Sequence, residues 1–178
     1  MVSQVEAPSL GSRPAYTRRI EGLVQVFTCT HRSFFTSVMA QALRIAGQGT
    51  PVLVVQFLKG GIEQGHEHPV QLGQSLDWVR CNLPRCIDTP YLDAEEASCL
   101  RDLWQYTQNV VSQGRYDLVV LDELSLAINF GLISEAEVMS FLRDRPRHVD
   151  IILTGPDMPG SLLDVADQIT ELRRSHQP

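Results

Sequence analysis

The segment Leu118-Val119-Val120-Leu121-Asp122-Glu123 decides the fold, because four apolar residues run directly into two carboxylates. A continuously apolar run predicts a strand that is buried on both faces, as in parallel sheets covered by helices. Burying two adjacent carboxylates is costly unless they bind something. One such partner is a metal ion on nucleotide phosphates, with Asp122 near Mg²⁺. Capping of the following helix explains the pair equally well, so these residues alone leave both interpretations open.

Similar apolar runs recur on both sides of this segment and alternate with helical patterns. The patterns predict strands at 23–28, 52–57, 118–121, 151–154 and 168–172, a short strand within 76–83, and helices at 38–46, 93–114, 134–146 and 161–166. Residues 59–73 are predicted to form a polar loop. This alternation predicts an α/β fold with a mainly parallel sheet and helices on both faces. Ligands bind beyond the carboxyl ends of such strands, so we look for chemistry just after Thr28, Phe57, Leu121 and Thr154.

The length and the net charge of the chain limit its domain organisation and the classes of function. With 178 residues, we expect residues 1–20 to form a flexible tail and residues 21–178 to form one domain. The net charge of -6 argues against a nucleic-acid binder, which normally carries a basic face. No apolar run approaches the ~20 residues of a membrane span, and the N-terminus lacks an apolar signal core. We therefore expect a cytoplasmic protein whose four cysteines are reduced thiols.

The loop after the first strand lacks the residues that bind phosphate. A nucleotide-binding fold normally has G-x-x-x-x-G-K-[ST] here, with glycines for a backbone nest and a lysine for charge. The corresponding stretch is Thr28-Cys29-Thr30-His31-Arg32-Ser33-Phe34-Phe35-Thr36, which has neither glycine nor lysine. Residue chemistry alone does not indicate a nucleotide loop.

Three segments nevertheless resemble the ATP:corrinoid adenosyltransferase family. They are Val54-Val55-Gln56-Phe57-Leu58-Lys59-Gly60, Val119-Val120-Leu121-Asp122-Glu123-Leu124, and a third that runs from Arg145-Pro146 through Ile151-Ile152-Leu153-Thr154-Gly155 to Glu171-Leu172. The resemblance implies a P-loop NTPase-like fold, commonly a homodimer. It also implies that ATP binds with Mg²⁺ and that the 5′-deoxyadenosyl group is transferred to a reduced Co(I) corrinoid.

The resemblance assigns roles to matching positions. Asp122 and Glu123 match the acidic strand end, as catalytic residues and, for Asp122, as the Mg²⁺ ligand. The remnant of the nucleotide site is Thr28, Arg32, Thr36 and Lys59, where Lys59 is the only lysine of the chain. Phe57 and Asn129 are candidates for the corrinoid side.

Two phenylalanines depart from the family pattern. Aligned without gaps, the phosphate-binding lysine of the family falls on Phe34 and its metal-binding threonine falls on Phe35. We expect these residues to block the loop, so that Mg-ATP binding is weak or lost. Two functions stay open: a divergent adenosyltransferase, or a non-catalytic regulatory or protein-interaction descendant. A third idea is that Phe34 and Phe35 form an apolar surface for a protein partner or a dimer mate.

One further cluster lies in the predicted loop. Glu63, His66, Glu67 and His68 combine imidazoles with acids, which is a pattern compatible with a metal site. A solvated loop is the more common structure for such a segment.

Overall fold

The computed structural model describes residues 21–61 and 64–173, which contain seven strands and five helices. The strands are β1 (Val24–Cys29), β2 (Val52–Gln56), β3 (Val70–Leu72), β4 (Leu76–Arg80), β5 (Leu118–Asp122), β6 (Asp150–Pro156) and β7 (Gln168–Leu172). The helices are α1 (Thr36–Gly47), α2 (Ala94–Ser112), α3 (Leu124–Asn129), α4 (Glu135–Asp144) and α5 (Gly160–Asp164). The predicted N-terminal tail lies outside the described residues.

All described strands join one sheet in the order β3-β4-β2-β5-β6-β1-β7. Every neighbouring pair is parallel except β3 with β4, which is antiparallel. This confirms the α/β fold with a mainly parallel sheet. The strand β3 was not predicted, since it is only three residues long and lies within the polar stretch 59–73.

Two apolar clusters cover the two faces of the sheet. On one face, α1 packs Val38, Met39 and Ala42 against alternate residues of β2, β5 and β6. On the other face, α2, α4 and α5 bury their apolar sides against the remaining residues of the same strands. Because successive side chains of a strand point to opposite faces, strands that are covered on both sides must be apolar throughout. That requirement explains the continuous apolar runs in the sequence.

The long helix α2 begins where the sequence predicts. Asp93 is its N-cap and accepts a hydrogen bond from the Glu96 amide, while the Glu96 carboxylate accepts one from the Asp93 amide. This reciprocal capping box fixes the start of the helix. No helix among the described residues is long and apolar enough to cross a membrane.

Neighbouring strands end at the same edge of the sheet. Gln56, the last residue of β2, is paired in register with Asp122, the last residue of β5. On the other side of β5, Leu121 is paired with Leu153 of β6, so Thr154 lies next to Asp122. The register therefore brings three polar side chains together in the middle of the sheet.

Candidate functional site

Asp122 is the centre of a buried polar network and is fully inaccessible to solvent. Its Oδ2 accepts hydrogen bonds from Gln56 Nε2 at 2.6 Å and from Lys59 Nζ at 2.8 Å. Its Oδ1 accepts one from Thr154 Oγ1 at 2.8 Å. A carboxylate with three donors, one of them a cation, is well compensated for the loss of water.

Glu123 forms a second, adjacent ion pair. Its carboxylate binds Arg32 bidentately, with Nε–Oε1 at 2.6 Å and Nη2–Oε2 at 2.8 Å. Arg32 also donates from Nη1 to the Ile87 carbonyl at 3.0 Å, which ties the loop after β1 to the segment after β4. The hydrogen bond from Arg32 to Glu123 raises the pKa of the guanidinium above its usual value. Arg32 is therefore fixed as a cation facing the acidic pair.

The backbone of Glu123 is in the left-handed region, with φ at 60°. Non-glycine residues adopt this conformation at a cost, and it is often found at functional sites. The Glu123 amide donates to Thr154 Oγ1 at 3.0 Å, which helps to hold the turn. The turn directs Glu123 toward Arg32 while Asp122 stays directed at Lys59.

The loop after β1 does not have the shape of a phosphate nest. None of the residues from Thr28 to Thr36 has a positive φ. A nest of successive backbone N–H groups requires alternation with left-handed residues, so that conformation is missing here. Helix α1 begins after Phe35, whose side chain cannot cap it.

The two phenylalanines have different environments. Phe35 is only 4% exposed and packs in the core beneath α1, where its ring meets Phe27 edge-on. The expectation that Phe35 forms part of an exposed contact surface is therefore wrong, because its side chain points into the core. Phe34 is 50% exposed, and Lys59 Nζ lies 4.5 Å from its ring centroid. Phe34 thus covers the cation that neutralises Asp122.

Among the described residues, the remaining candidates make no side-chain hydrogen bond to Asp122 or Glu123. Thr28 Oγ1 donates to the Gly155 carbonyl at 2.9 Å, and Thr36 is exposed at the start of α1. Phe57 is fully buried and packs on Trp104, so it is not available to a corrinoid in this structure, contrary to expectation. Asn129 is exposed and donates to the Asp157 carbonyl at 3.1 Å.

Sequence reasoning missed two members of the network, Gln56 and Thr154. Both are polar residues at the ends of otherwise apolar strands, which is the signal that identified Asp122. Gln56 also accepts hydrogen bonds from Trp78 Nε1 and Arg80 Nε, so the network extends to the neighbouring strand β4. Within the described ranges, no group of three or more His, Cys, Asp or Glu side chains could hold a metal ion.

Residues 20–178 match the family described as ATP:corrinoid adenosyltransferase BtuR/CobO/CobP. The chain belongs to this family. It is 31% identical over 162 residues to the corrinoid adenosyltransferase CobA of Salmonella typhimurium, covering 91% of this chain and 82% of that protein. It is 29% identical over 162 residues to the corrinoid adenosyltransferase of Escherichia coli K12, with the same coverage. The Nostoc protein all2391 is 29% identical over 184 residues, which are 95% of this chain and 49% of that protein.

Members of an ATP:corrinoid adenosyltransferase family have ATP and a corrinoid as substrates. The α/β fold of this chain agrees with that membership. In this structure both carboxylates are paired with cations of the protein.

Proposed function

We propose that this chain is a non-catalytic member of the corrinoid adenosyltransferase family, which binds Mg-ATP weakly and acts by binding rather than by transfer. The observation that carries the proposal is the closed network at the acidic pair. Asp122 is paired with Lys59 and Glu123 with Arg32, so the two negative charges are balanced by two positive charges. The acidic pair then serves to hold the ends of the strands together.

The network does not fit a bound Mg²⁺. The ion requires free carboxylate oxygens, near-ideal octahedral geometry and several waters. Three of the four oxygens of Asp122 and Glu123 accept a hydrogen bond from a cationic side chain, and the fourth, Asp122 Oδ1, accepts one from Thr154. To admit the metal, Lys59 and Arg32 would lose charge-assisted hydrogen bonds of about 1.5–3 kcal/mol each. That cost opposes metal binding before any phosphate contact forms.

The loop supports the same conclusion. The family lysine and threonine are replaced by Phe34 and Phe35, and Phe35 is held in the core. Because the loop contains no glycine, adopting the left-handed conformations of a nest would strain β-carbons. The protein therefore lacks the two features, a nest and a free lysine, that hold triphosphate in a P-loop.

Two measurements with the full chain test the proposal. Calorimetric titration with Mg-ATP is expected to show no binding tighter than millimolar, whereas low-micromolar affinity would refute it. Anaerobic incubation with ATP and a reduced Co(I) corrinoid, followed by the corrin absorption spectrum, is expected to show no adenosyl transfer. The Salmonella relative serves as the positive control under the same conditions. Robust turnover by this chain would end the non-catalytic assignment.

The second candidate is adenosyl transfer in an altered pocket. One observation favours it: the side chains of Arg32 and Lys59 are 34% and 20% exposed, so both lie at the mouth of the network. If ATP approached, Arg32 could turn from Glu123 to a phosphate and supply the missing cation. Under this candidate Arg32→Gln abolishes turnover, whereas under the first candidate there is no turnover to abolish.

We also propose that the protein acts in the cytoplasm as a homodimer or with a protein partner. The described cysteines are all free thiols, which suits a reducing compartment. Phe34 is an exposed aromatic residue of the kind found at contact surfaces. Light scattering after size exclusion measures the assembly. If Phe34→Ser leaves the measured mass unchanged, Phe34 has no part in a homodimer.

A further inference from the structure

A small polar cavity lies where α2 faces the end of β4, and Arg80 belongs both to its lining and to the network around Gln56. Its volume is about 190 Å³. The side chains that carry its chemistry are His66, His68, Arg80, Asn82, Cys99 and Asp102.

The walls of the cavity are held in place by contacts within the protein. The Arg80 amide donates to the Gln64 carbonyl at 2.9 Å, and the His68 amide donates to the Gly65 carbonyl at 3.0 Å. The ring of His66 lies 5.3 Å from that of Tyr106 on α2. These contacts fasten the segment 64–68 to both β4 and α2, so the cavity is pre-formed, as ligand sites usually are.

The charged side chains that line the cavity are one guanidinium, Arg80, and two acids, Glu67 and Asp102. Arg80 donates from Nε to Gln56 at 2.7 Å and lies over Trp78, but no described side chain accepts a hydrogen bond from its Nη atoms. Asp102 takes part in no ion pair and no side-chain hydrogen bond among residues 21–61 and 64–173.

We propose that this cavity binds a small zwitterion of the α-amino acid class, with Arg80 holding the carboxylate and Asp102 the ammonium group. A guanidinium offers two parallel N–H donors that match a carboxylate. The volume is below the 300–1,000 Å³ typical of sites for drug-sized ligands, so a nucleotide or a corrinoid does not fit. A metal is disfavoured because the described His, Cys, Asp and Glu side chains form no metal-binding group.

The test is a thermal-shift screen of the full chain with each of the twenty amino acids separately, with acetate and methylammonium as the two half-ligands. We expect at least one amino acid to raise the melting temperature with saturation, and both half-ligands to be ineffective at that concentration. Asp102→Asn should lower the affinity for the tightest-binding amino acid at least tenfold, since one charge-assisted contact is lost. Arg101→Gln, on the adjacent and exposed position of α2, should bind like the unaltered protein.

Cys99 supplies a second readout that needs no variant. It lines the cavity, whereas Cys86 is exposed elsewhere. A bound amino acid should slow alkylation of Cys99 at least tenfold and leave Cys86 unchanged, which mass spectrometry of the labelled peptides measures. The proposal is overturned if no amino acid shifts the melting temperature, if acetate alone binds as tightly as the best amino acid, or if Cys99 is not protected. If Asp102→Asn fails to fold, the protection of Cys99 against alkylation tests the proposal without any variant.

Discussion

Lys59→Met isolates the charge of the only lysine while it keeps the length of the side chain. The structure predicts a large loss of stability, because Asp122 would remain fully buried without its cation. A chain of this size is normally stable by about 5–15 kcal/mol, so the variant should still fold. The same reasoning makes Asp122→Asn destabilising, since Lys59 would lose its counter-charge.

The magnitude follows from the geometry of the pair. At the Nζ–Oδ2 distance of 2.8 Å, two unit charges attract by about 6 kcal/mol at an effective dielectric constant of ~20. Part of this is offset, because the Lys59 side chain is 20% exposed and Asp122 keeps its hydrogen bonds from Gln56 and Thr154. Breaking one partner out of a buried pair costs about 3–5 kcal/mol. We expect about 3 kcal/mol for Lys59→Met.

Urea unfolding followed by far-ultraviolet circular dichroism measures this loss. With a slope of about 2 kcal/mol per molar urea, the midpoint should fall by about 1.5 M. The double variant Lys59→Met with Asp122→Asn removes both charges, so it should be more stable than the sum of the single losses by about 2 kcal/mol. Arg173→Met is the matched control, because Arg173 pairs with Glu171 at 2.7 Å on the surface. Its midpoint should not change.

Two results would refute the reasoning. One is a loss below about 1 kcal/mol for Lys59→Met, which would mean that the pair does not hold the strand ends. The other is an increase in stability for Asp122→Asn. Catalytic acids often cost a protein stability, and replacing them then stabilises the fold. A stabilising Asp122→Asn would therefore favour the enzymatic candidate over the structural network.

Three further predictions concern other parts of the chain. Phe35→Ala should lower the free energy of unfolding in urea by about 3–4 kcal/mol because it leaves a cavity in the core, whereas Phe34→Ala at an exposed position should change it by less than about 1 kcal/mol. Equal losses for the two variants would contradict the different burial of the two rings. Burial, with the nearby Cys99, raises the pKa of Cys81 to about 12, so iodoacetamide at pH 8 should modify exposed Cys86 first and Cys81 only on unfolding, as peptide mass spectrometry would show. Burial and the hydrogen bond to Asp77 raise the pKa of Tyr116, so above pH ~10 the unfolded chain loses a proton that the native protein keeps, and the free energy of unfolding falls. Tyr116→Phe should reduce this loss of stability with pH in urea titrations. An unchanged dependence on pH would exclude Tyr116 as its cause.

Much of the fold could be predicted from the sequence, because each central strand must be apolar on both faces. That signal located β1, β2, β5 and β6, and the spacing of Asp93 and Glu96 located the start of α2. The strand β3 escaped prediction because three residues at an edge carry too short a pattern. When one face of a strand is open to solvent, only a longer run of residues shows a pattern that distinguishes the strand from a loop.

The members of the site were predictable, but their pairing was not. Asp122, Glu123, Arg32 and Lys59 all stand just after strands, which a parallel sheet brings to one edge. Which cation pairs with which carboxylate depends on the left-handed turn at Glu123. The residue types in the sequence do not predict such a turn. The misjudged role of Phe35 has a similar cause, because adjacency to Phe34 does not tell which ring points into the core.

The internal pairs also change what the family motif means. A buried carboxylate requires a cation, and a buried cation requires a carboxylate, whether or not a nucleotide ever binds. Lys59 and Asp122 satisfy this requirement for each other across 2.8 Å. Arg32 extends this pairing to the loop after β1, since it supplies the positive charge opposite Glu123. The acidic motif is thus compatible with a structural role at this edge of the sheet. Evidence for catalysis must come from nucleotide binding and corrinoid turnover, since the motif alone is equally compatible with a protein that does neither.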